Sequence, residues 1–344
     1  MTLKIGIIGC GSISEFRHAP EYAANSNTEI VWFFDPQAER AQRLASMFGG
    51  QVATSYAQVL DDPVVDAISD CSTNEMHHII TTAALRAGKH VLCEKPMAVS
   101  LEGAQAMLDA AKAANRTLMI GQNQRLAPAH TKAREIIVSG EMGRVLTFET
   151  TFRHKGPEYW SETKGSKTWF FDQAKSVYGV SGDIGIHKLD LIRYLLGEDY
   201  AEVSAQGGAL HKKLSTGEPI KVYDNLMCLL KMRSGIQGTL AVSWTNYGPE
   251  DNSTTLFCER GIIRIYADPV YSLKLIKLNG EETLFKIGAM QTNDEQSNSG
   301  VIDAFVASIL TGTQPPVTGE DGYAAIRVVL AAIESSEAGR RVVL

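Results

Sequence analysis

Short apolar runs alternate with helical patterns through the first third of the chain. Lys4–Gly9 (K-I-G-I-I-G) is an apolar run of strand length, and Glu29–Asp35 (E-I-V-W-F-F-D) is a second. A helix is predicted at about Ser14–Asn25, and another opens at Pro36, since proline suits a first helical turn. Further strands are predicted at Val65–Asp70, His90–Cys93 and Leu118–Gly121, with helices at Met76–Ala87 and Leu101–Asn115. Apolar strands separated by helices indicate a parallel sheet covered on both faces.

The pattern changes after about Gln122. From Val222 to about Ile287 it predicts strand after strand, with Asn279-Gly280 as a hairpin turn. The other predicted elements are a helix at Ala129–Ser139, a strand at Val145–Phe152, a helix at Asp183–Leu196, and closing helices near Val301–Leu310 and Gly322–Ala338. This part is therefore predicted to be a mostly antiparallel sheet with helices on one face.

The two patterns together predict an α/β protein of two domains, which suits 344 residues. Residues 1–122 are predicted to form a doubly wound parallel sheet, and residues 123–344 an α+β domain with a large, open, mostly antiparallel sheet. Leu226–Met232 and Gly261–Tyr266 are more apolar than a solvated sheet face requires. We therefore expect a homodimer or homotetramer built through this sheet.

Composition narrows the class of protein. Apolar residues make up 44% and charged residues 21% of the chain, as in an ordinary globular protein. A net charge of -6 without a dense Lys/Arg block argues against nucleic-acid binding. With no apolar stretch of bilayer length and no signal sequence, we expect a cytoplasmic protein that binds no membrane. The 5 cysteines form no C-x-x-C pair, so free thiols and no metal site are expected.

A glycine motif follows the first predicted strand and opens the first helix. It is G-x-G-x-x-G with serine in third place, running from Gly9 through Gly11 to Ser14. The first glycine permits a tight turn, the second lets the backbone approach a pyrophosphate, and a small third residue allows close packing of helix on strand. Since the helix start exposes N–H groups to phosphates, Gly9, Gly11, Ser12 and Ile13 are predicted to bind a dinucleotide.

Asp35 ends the second predicted strand, where an acidic residue completes the dinucleotide pattern. A carboxylate there can accept hydrogen bonds from both ribose hydroxyls of NAD and would repel the 2′-phosphate of NADP. Pro36 and Gln37 supply no charge to hold that phosphate. NAD is therefore the predicted cofactor. The alternative is that Asp35 only caps the following helix.

Glu94-Lys95-Pro96 follows the predicted strand His90–Cys93. Ligands bind at the carboxyl ends of parallel strands in this architecture, so Glu94 and Lys95 are predicted to contact the cofactor. The proline restricts Lys95 to an extended conformation. The alternative is an exposed ion pair before a turn.

Asp183 and His187 lie at i and i+4 of a predicted helix, followed on the same stripe by Asp190 and Tyr194. A neighbouring carboxylate raises the basicity of a histidine and fixes its orientation, as a general base needs. A metal pair and a structural histidine are the alternatives. No third ligand has obvious spacing for a metal.

These residues resemble those of the glucose–fructose oxidoreductase / inositol dehydrogenase / rhizopine catabolism (Gfo/Idh/MocA) family, in the same order over nearly the whole chain. The similar segments are Gly9-x-Gly11, Asp35, Glu94-Lys95-Pro96, Gly121–Arg125, Gly182–Asp190 and Thr318–Gly322. The resemblance implies a Rossmann domain followed by an α/β domain whose open sheet often serves as an oligomer interface.

The resemblance also implies roles for single residues. Lys95 matches the active-site lysine, and His187 matches the catalytic acid/base, with Asp183 beside it. The cofactor-lining loop of similar proteins corresponds to Thr73, Asn74 and His77. Asn123 and Gln124 match positions near the substrate, and Gln124 stands where many relatives carry a basic or aromatic residue.

The predicted function is that of an NAD-dependent dehydrogenase oxidising a secondary hydroxyl of a sugar, glycoside or cyclic polyol such as an inositol. His154, Lys155 and Trp169 are interpreted as lining the substrate cavity, with surface loop or ordinary core as the alternative. One competing hypothesis is a glycoside-cleaving enzyme that oxidises its substrate transiently with bound NAD. Another is a non-enzymatic sugar sensor, which would be expected to lose Lys95 or His187; both are present.

Overall fold

The computed structural model describes residues 2–289 and 298–344, which divide into two compact units. The N-terminal unit holds residues 2–123 and 298–323, and the C-terminal unit holds 124–289 and 324–344. The division into domains 1–122 and 123–344 stays a prediction. The two compact units differ from it because residues 298–323 belong to the N-terminal unit. Hydrogen bonds hold this segment there: Ser299 N donates to Glu21 Oε1 at 2.7 Å and Ile120 N to Val317 O at 3.2 Å.

The N-terminal unit is built on a six-stranded parallel sheet, which confirms the predicted fold of this part. Its strands are β1 (Leu3–Ile8), β2 (Thr28–Phe34), β3 (Gln51–Val52), β4 (Ala67–Asp70), β5 (His90–Cys93) and β6 (Leu118–Ile120). They stand in the order β3-β2-β1-β4-β5-β6. The winding reverses between β1 and β4, and the crevice at their carboxyl ends is where such sheets bind ligands.

Five helices connect these strands. They are α1 (Ala19–Ala24), α2 (Ala38–Phe48), α3 (Tyr56–Asp61), α4 (Asn74–Arg86) and α5 (Leu101–Ala114). The predicted helix Ser14–Asn25 begins instead with a π-helical turn, Ser14–His18, and only then becomes α1. The two-residue β3 and the six-residue α3 were not predicted, because elements this short carry too few residues for a period to show.

The C-terminal unit contains a nine-stranded sheet, mostly antiparallel as predicted. Its strands are β7 (Val145–Arg153), β8 (Tyr200–Gly208), β9 (Asn225–Met232), β10 (Gln237–Ser243), β11 (Thr254–Cys258), β12 (Gly261–Ile265), β13 (Leu273–Lys277), β14 (Glu282–Phe285) and β15 (Val342–Val343). The order is β14-β13-β12-β11-β7-β10-β9-β8-β15, in which β7 and β10 run parallel. The hairpin predicted at Asn279-Gly280 joins β13 to β14.

The remaining helices are α6 (Pro128–Ser139), α7 (Gln173–Ser176), α8 (Ile186–Leu196), α9 (Val301–Thr311) and α10 (Gly319–Ala338). Of these, α6 and α8 contact each other and pack on the sheet at β12 and β7. Side chains of β9 alternate accordingly: Leu226, Cys228 and Leu230 are buried, whereas Met227 and Leu229 are exposed. No helix of the described residues is long and apolar enough to cross a membrane.

Candidate active site

The loop after β1 has the geometry that the glycine motif predicts. Gly9 has φ +89, and a Cβ there would lie 2.3 Å from Cys71 O. A Cβ at Gly11 would meet no heavy atom of the described chain within 4 Å, so this side of the loop is open to a pyrophosphate. Ser14 Oγ donates to Gly9 O at 2.5 Å, which explains how serine serves in the third place.

The loop leads into helix through half-buried Ser12 and Ile13. Ser12 and Ile13 are already helical and directly precede the π-helical turn that starts at Ser14, so their N–H groups lie at the start of the helix. This is where a helix N-terminus offers donors to phosphate oxygens. Their role in cofactor binding, like that of the other site residues, stays a prediction.

Asp35 connects the glycine loop to the end of β2. Its Oδ2 accepts a hydrogen bond from Cys10 N at 2.9 Å, and its Oδ1 accepts one from Gln37 N at 2.8 Å. The N-cap of α2 is Gln37 rather than Asp35, which disfavours the simple helix-cap alternative. Because each carboxylate oxygen can accept more than one hydrogen bond, Asp35 retains capacity for ribose hydroxyls.

Thr73, Asn74 and His77 lie at the start of α4, directly after β4. Thr73 is half-buried and flanks the helix, whereas Asn74 is buried in its first turn. His77 joins two loops, since Nδ1 lies 2.7 Å from Pro96 O and Nε2 lies 3.0 Å from Ser72 O. The structure therefore brings the predicted cofactor loop against the Lys95-Pro96 turn.

Lys95 lies at the carboxyl end of β5, half-buried, and its peptide bond to Pro96 is cis. The preceding Glu94 is buried and turned to the interior, where its Oε1 lies 3.0 Å from His18 Nε2. Glu94 Oε2 accepts a hydrogen bond from Lys95 N at 3.2 Å. The alternative of an exposed ion pair before a turn is therefore wrong for Glu94.

Asp183 and His187 are both buried in the C-terminal unit. The predicted α-helix from Asp183 begins instead with a π-helical turn, Ser181–Gly185, and the α-helical part starts at Ile186. π-Helical turns are rare in proteins overall, and where they occur they are often found at functional sites. Trp244 Nε1 donates to Asp183 Oδ2 at 3.0 Å, and this bond fixes the carboxylate from the neighbouring sheet.

His154 joins this group from the end of β7. Gly156 N donates to its Nδ1 at 3.0 Å, so a neutral ring carries its proton on Nε2, which lies 4.0 Å from Asp183 Oδ2. The ring of Phe152 has its centroid 5.7 Å from that of His154 and 6.2 Å from that of His187. The C-terminal unit thus gathers two histidines and one carboxylate around an aromatic ring.

Trp169 and Lys155 contact other aromatic residues of the C-terminal unit. Trp169 stacks on Phe170 at 4.0 Å, and Phe170 in turn lies 6.4 Å from Trp244. Lys155 is exposed, and its ammonium lies 5.4 Å from the ring centroid of Tyr159. Both remain predictions as substrate residues.

Asn123 and Gln124 belong to a short 3₁₀ helix, Asn123–Leu126, that follows β6. Within the C-terminal unit, Gln124 Nε2 donates to Asn252 Oδ1 at 3.2 Å. Arg125 Nε and Nη2 bind Asp190 at 2.7 and 2.6 Å in a buried bidentate pair. Asp190 therefore serves the interior of the unit, although the sequence placed it on the same stripe as His187.

Trp244, Phe152 and Asn252 were missed by sequence reasoning. Trp244 directly follows β10, Phe152 is next to last in β7, and Asn252 stands two residues before β11; none of them stands in a motif. The only signal was the run of aromatics and histidine at the ends of β7 and β10.

Among the residues described, no three His, Cys, Asp or Glu side chains are grouped to hold a metal ion.

Comparison with known proteins gives two matching family models. Residues 3–122 match the oxidoreductase family with an NAD-binding Rossmann fold, GFO_IDH_MocA. Residues 130–264 match the GFO/IDH/MocA C-terminal domain.

Similar proteins cover most of the chain. The 1,5-anhydro-D-fructose reductase of Ensifer adhaerens is 29% identical over 339 residues, which are 97% of this chain and 96% of the relative. The levoglucosan dehydrogenase of Pseudarthrobacter phenanthrenivorans is 31% identical over 280 residues, 72% of this chain and 68% of the relative. The structure of an aldose-aldose oxidoreductase from Caulobacter crescentus, complexed with glycerol, matches with a TM-score of 0.85 at 26% identity, covering 100% of both chains. The chain belongs to the Gfo/Idh/MocA family of oxidoreductases, and its N-terminal unit is an NAD-binding Rossmann fold.

Proposed function

We propose that this protein is an NAD-dependent dehydrogenase that oxidises a secondary hydroxyl of a sugar, glycoside or cyclic polyol. The observation that carries the proposal is the buried Asp183 carboxylate, which Trp244 holds by a hydrogen bond, with His154 4.0 Å away and His187 four residues further along the same helical segment. A carboxylate held in this way can orient and stabilise an imidazolium, which a proton-accepting histidine becomes during alcohol oxidation.

The chemistry divides between the protein and the cofactor. Bound NAD supplies the hydride acceptor. His187 accepts the hydroxyl proton as the hydride leaves carbon, and Asp183 stabilises the imidazolium that results. Lys95 donates a hydrogen bond to the same oxygen and stabilises its growing negative charge. The protein thus contributes orientation and charge stabilisation.

Two features favour a hydroxyl-rich, unphosphorylated ring as substrate. In the C-terminal unit, the half-buried rings of Trp160 and Phe170 pack on the buried His154 and Trp244, and partly exposed aromatic rings suit the apolar faces of sugars. Arg125, which follows the predicted substrate residues, is held by Asp190, and Arg17 lies 3.7 Å from Glu94. Both guanidinium groups are thus paired with carboxylates of the protein rather than with a phosphate group of a substrate. The family relatives named for sugars and anhydrosugars support a hydroxyl-rich substrate.

The test is NADH formation with a panel of inositols, aldoses, glycosides, sugar phosphates and fatty alcohols. The proposal expects NADH with at least one free polyol, sugar or glycoside. Glycoside cleavage without net NADH would replace it with transient oxidation, and sugar binding without any turnover would replace it with a sensor. Strong activity restricted to fatty alcohols or sugar phosphates would refute the substrate class.

Asp35→Asn is expected to narrow the preference for NAD over NADP. The exchange removes the charge that repels a 2′-phosphate and weakens the ribose hydrogen bonds, an effect of about 1–3 kcal/mol. Titration of the apo protein with both cofactors measures it. The exposed Glu39 of α2 provides the control, because Glu39→Gln removes one nearby charge and should leave the preference unchanged. Equal binding of NAD and NADP by the unmodified protein would rule the assignment out.

We also propose that a second copy of the chain covers the exposed face of the nine-stranded sheet. Met227 and Leu229 of β9 are 61% and 65% exposed on the face opposite the buried Leu226 and Leu230. Phe257 of β11 stands on the corresponding outer face, since its neighbours in the strand, Leu256 and Cys258, are buried. Apolar side chains clustered on an open face indicate an interaction surface.

Leu229→Lys is expected to weaken this assembly, because a charge on an apolar contact face opposes its burial. Light scattering at micromolar concentration should show a dimer or tetramer for the unmodified protein and a smaller species for the variant. Val138→Lys is the control, since Val138 is 73% exposed on α6 rather than on the sheet. A monomer for the unmodified protein would refute the proposal.

A further inference from the structure

A buried polar network lies directly behind Lys95 in the N-terminal unit. Arg17 and His18, at the end of the π-helical turn, are 4% and 0% exposed. His18 Nδ1 lies 2.6 Å from Ser69 Oγ, and its Nε2 lies 3.0 Å from Glu94 Oε1. Burying polar groups lowers stability unless they are fully hydrogen-bonded. A role in orienting neighbouring side chains would explain why these groups are buried here.

Glu94 is fixed from three sides. His18 and Arg17 contact its Oε1, at 3.0 and 3.7 Å, and Lys95 N donates to its Oε2. On the remaining side, a Cβ added to Gly121 would lie 2.8 Å from Oε1 and 2.9 Å from Cδ. Glycine at position 121 is therefore what leaves room for the carboxylate, and the carboxylate has little freedom to move.

The surroundings keep Glu94 ionised. Burial disfavours its charged form, but the hydrogen bond from His18 and the charges of His18, Arg17 and Lys95 hold the pKa of Glu94 well below its usual range. Further ionisable groups interact electrostatically with this network. Glu21 on α1 interacts with Arg17, Cys71 interacts with His18, and Asp70 and Glu94 interact with Cys93. Burial raises the pKa values of the Asp70 carboxyl and the Cys93 thiol, because it disfavours their charged forms.

The same helical segment begins at the glycine loop. Ser14 opens the π-helical turn and bonds back to Gly9, while Arg17 and His18 stand one turn further along the same segment. The predicted phosphate loop and the Glu94-Lys95 turn are thus tied together through a single short helix. A shift of either would be transmitted to the other through His18 and Glu94.

We propose that His18 is a positioning residue, which acts through the buried Glu94 carboxylate to hold Lys95 in place. This inference rests on the proposed role of Lys95 in alcohol oxidation. Glu94 fixes the backbone of Lys95 through the hydrogen bond that its Oε2 accepts from Lys95 N. His18 holds Glu94 against Gly121 and ties the whole turn to the cofactor loop.

Two matched substitutions separate this role from simple packing. In His18→Gln the amide replaces Nε2 and can still donate to Glu94, whereas in His18→Asn it replaces Nδ1 and reaches only Ser69. We expect His18→Gln to keep kcat within about threefold and His18→Asn to lose about 10–100-fold, with NAD affinity changed little in either, since small misplacements of catalytic groups are costly. Equal losses in both variants would overturn the proposal.

A spectroscopic readout tests the position of Lys95 without relying on activity. Lysines carrying ¹³C-methyl groups are followed by NMR at one fixed pH, and the Lys95 signal is identified by its absence in Lys95→Arg. His18→Asn should move or broaden the Lys95 signal, because the turn loses the contact between His18 and Glu94, whereas His18→Gln should leave the signal in place. An unchanged Lys95 signal in His18→Asn would overturn the proposal even if the enzyme is active.

Two further variants guard against misfolding. Gly121→Ala pushes on Glu94 from the other side and should repeat the kcat loss of His18→Asn. Tyr22→Phe removes only a hydroxyl 3.5 Å from Ser69 Oγ in the same buried region, and should neither lower kcat nor move the Lys95 signal. Thermal melting confirms that each variant is folded. A chain that forms no NADH with any substrate would defeat the proposed function, while the Lys95 signal in His18→Asn would still decide whether His18 positions Lys95 through Glu94.

Discussion

Replacing His187 with alanine is expected to lower kcat by about 10²–10⁴-fold, the usual value of a positioned general base. The variant should also lose the acidic limb of the pH–rate profile, since that limb reports protonation of the base. Asp183→Asn should act more mildly, because it weakens the stabilisation of the imidazolium without deleting the ring. Turnover and thermal stability are to be measured on the same purified variants.

His90 offers a matched control for His187. It opens β5 at the amino end of the parallel sheet, and its Nδ1 accepts a hydrogen bond from Thr117 N at 3.0 Å. His90→Ala should therefore lower the melting temperature and leave kcat near normal. If His187→Ala gave this same result, His187 would be a structural histidine, and the sensor hypothesis would take first place.

The N-terminal unit was largely predictable because its signals are local. Uninterrupted apolar runs such as Lys4–Gly9 indicate the parallel strands, and residues that directly follow those runs fall at the carboxyl ends of the strands. Gly9, Asp35 and Lys95 could therefore be assigned to one edge of the sheet from their positions in the sequence alone. The chain returning at residues 298–323 carries no such local signal, because its place depends on contacts such as Ser299 with Glu21.

The C-terminal site was only half predictable for the same reason. Asp183 and His187 share a helix, so their spacing suggested a pair. Trp244 reaches Asp183 from 61 residues away, and nothing in the sequence around Trp244 indicates that contact. The π-helical turn Ser181–Gly185 was also missed, since a period of 3.6 assumes a regular α-helix.

Contacts and burial separate residues that the sequence placed together. Asp183 and Asp190 were predicted on one polar stripe, and both are buried, yet Asp190 binds Arg125 in a bidentate pair whereas Asp183 receives Trp244 Nε1 beside His154. Glu94 and Lys95 divide in the same way: the carboxylate is enclosed and the lysine is half-buried. Residue type and spacing locate such groups, but only their partners distinguish a residue that supports the site from one that acts in it.

Replacing Lys95 with alanine is expected to leave NAD affinity nearly intact and to lower kcat by about 10²–10³-fold, the typical cost of losing one preorganised donor to a developing oxyanion. The reason is that Lys95 acts on the reacting oxygen, whose negative charge grows only as the proton and hydride leave. Steady-state kinetics and NAD titrations on the same protein measure the two effects separately.

Lys89 is the control for this experiment, because it lies at the opposite end of β5 from Lys95. Its Nζ donates to Asp62 O and Val65 O, both at 2.8 Å, so it serves the loop that precedes β4. Lys89→Ala should reduce the melting temperature without changing kcat. The expected contrast between the two lysines follows from the polarity of the sheet. Parallel sheets of this kind bind ligands at the carboxyl ends of their strands, whereas residues at the amino ends contribute to stability. Near-normal kcat in a stable Lys95→Ala variant would contradict both the assignment of Lys95 and the positioning role inferred for His18.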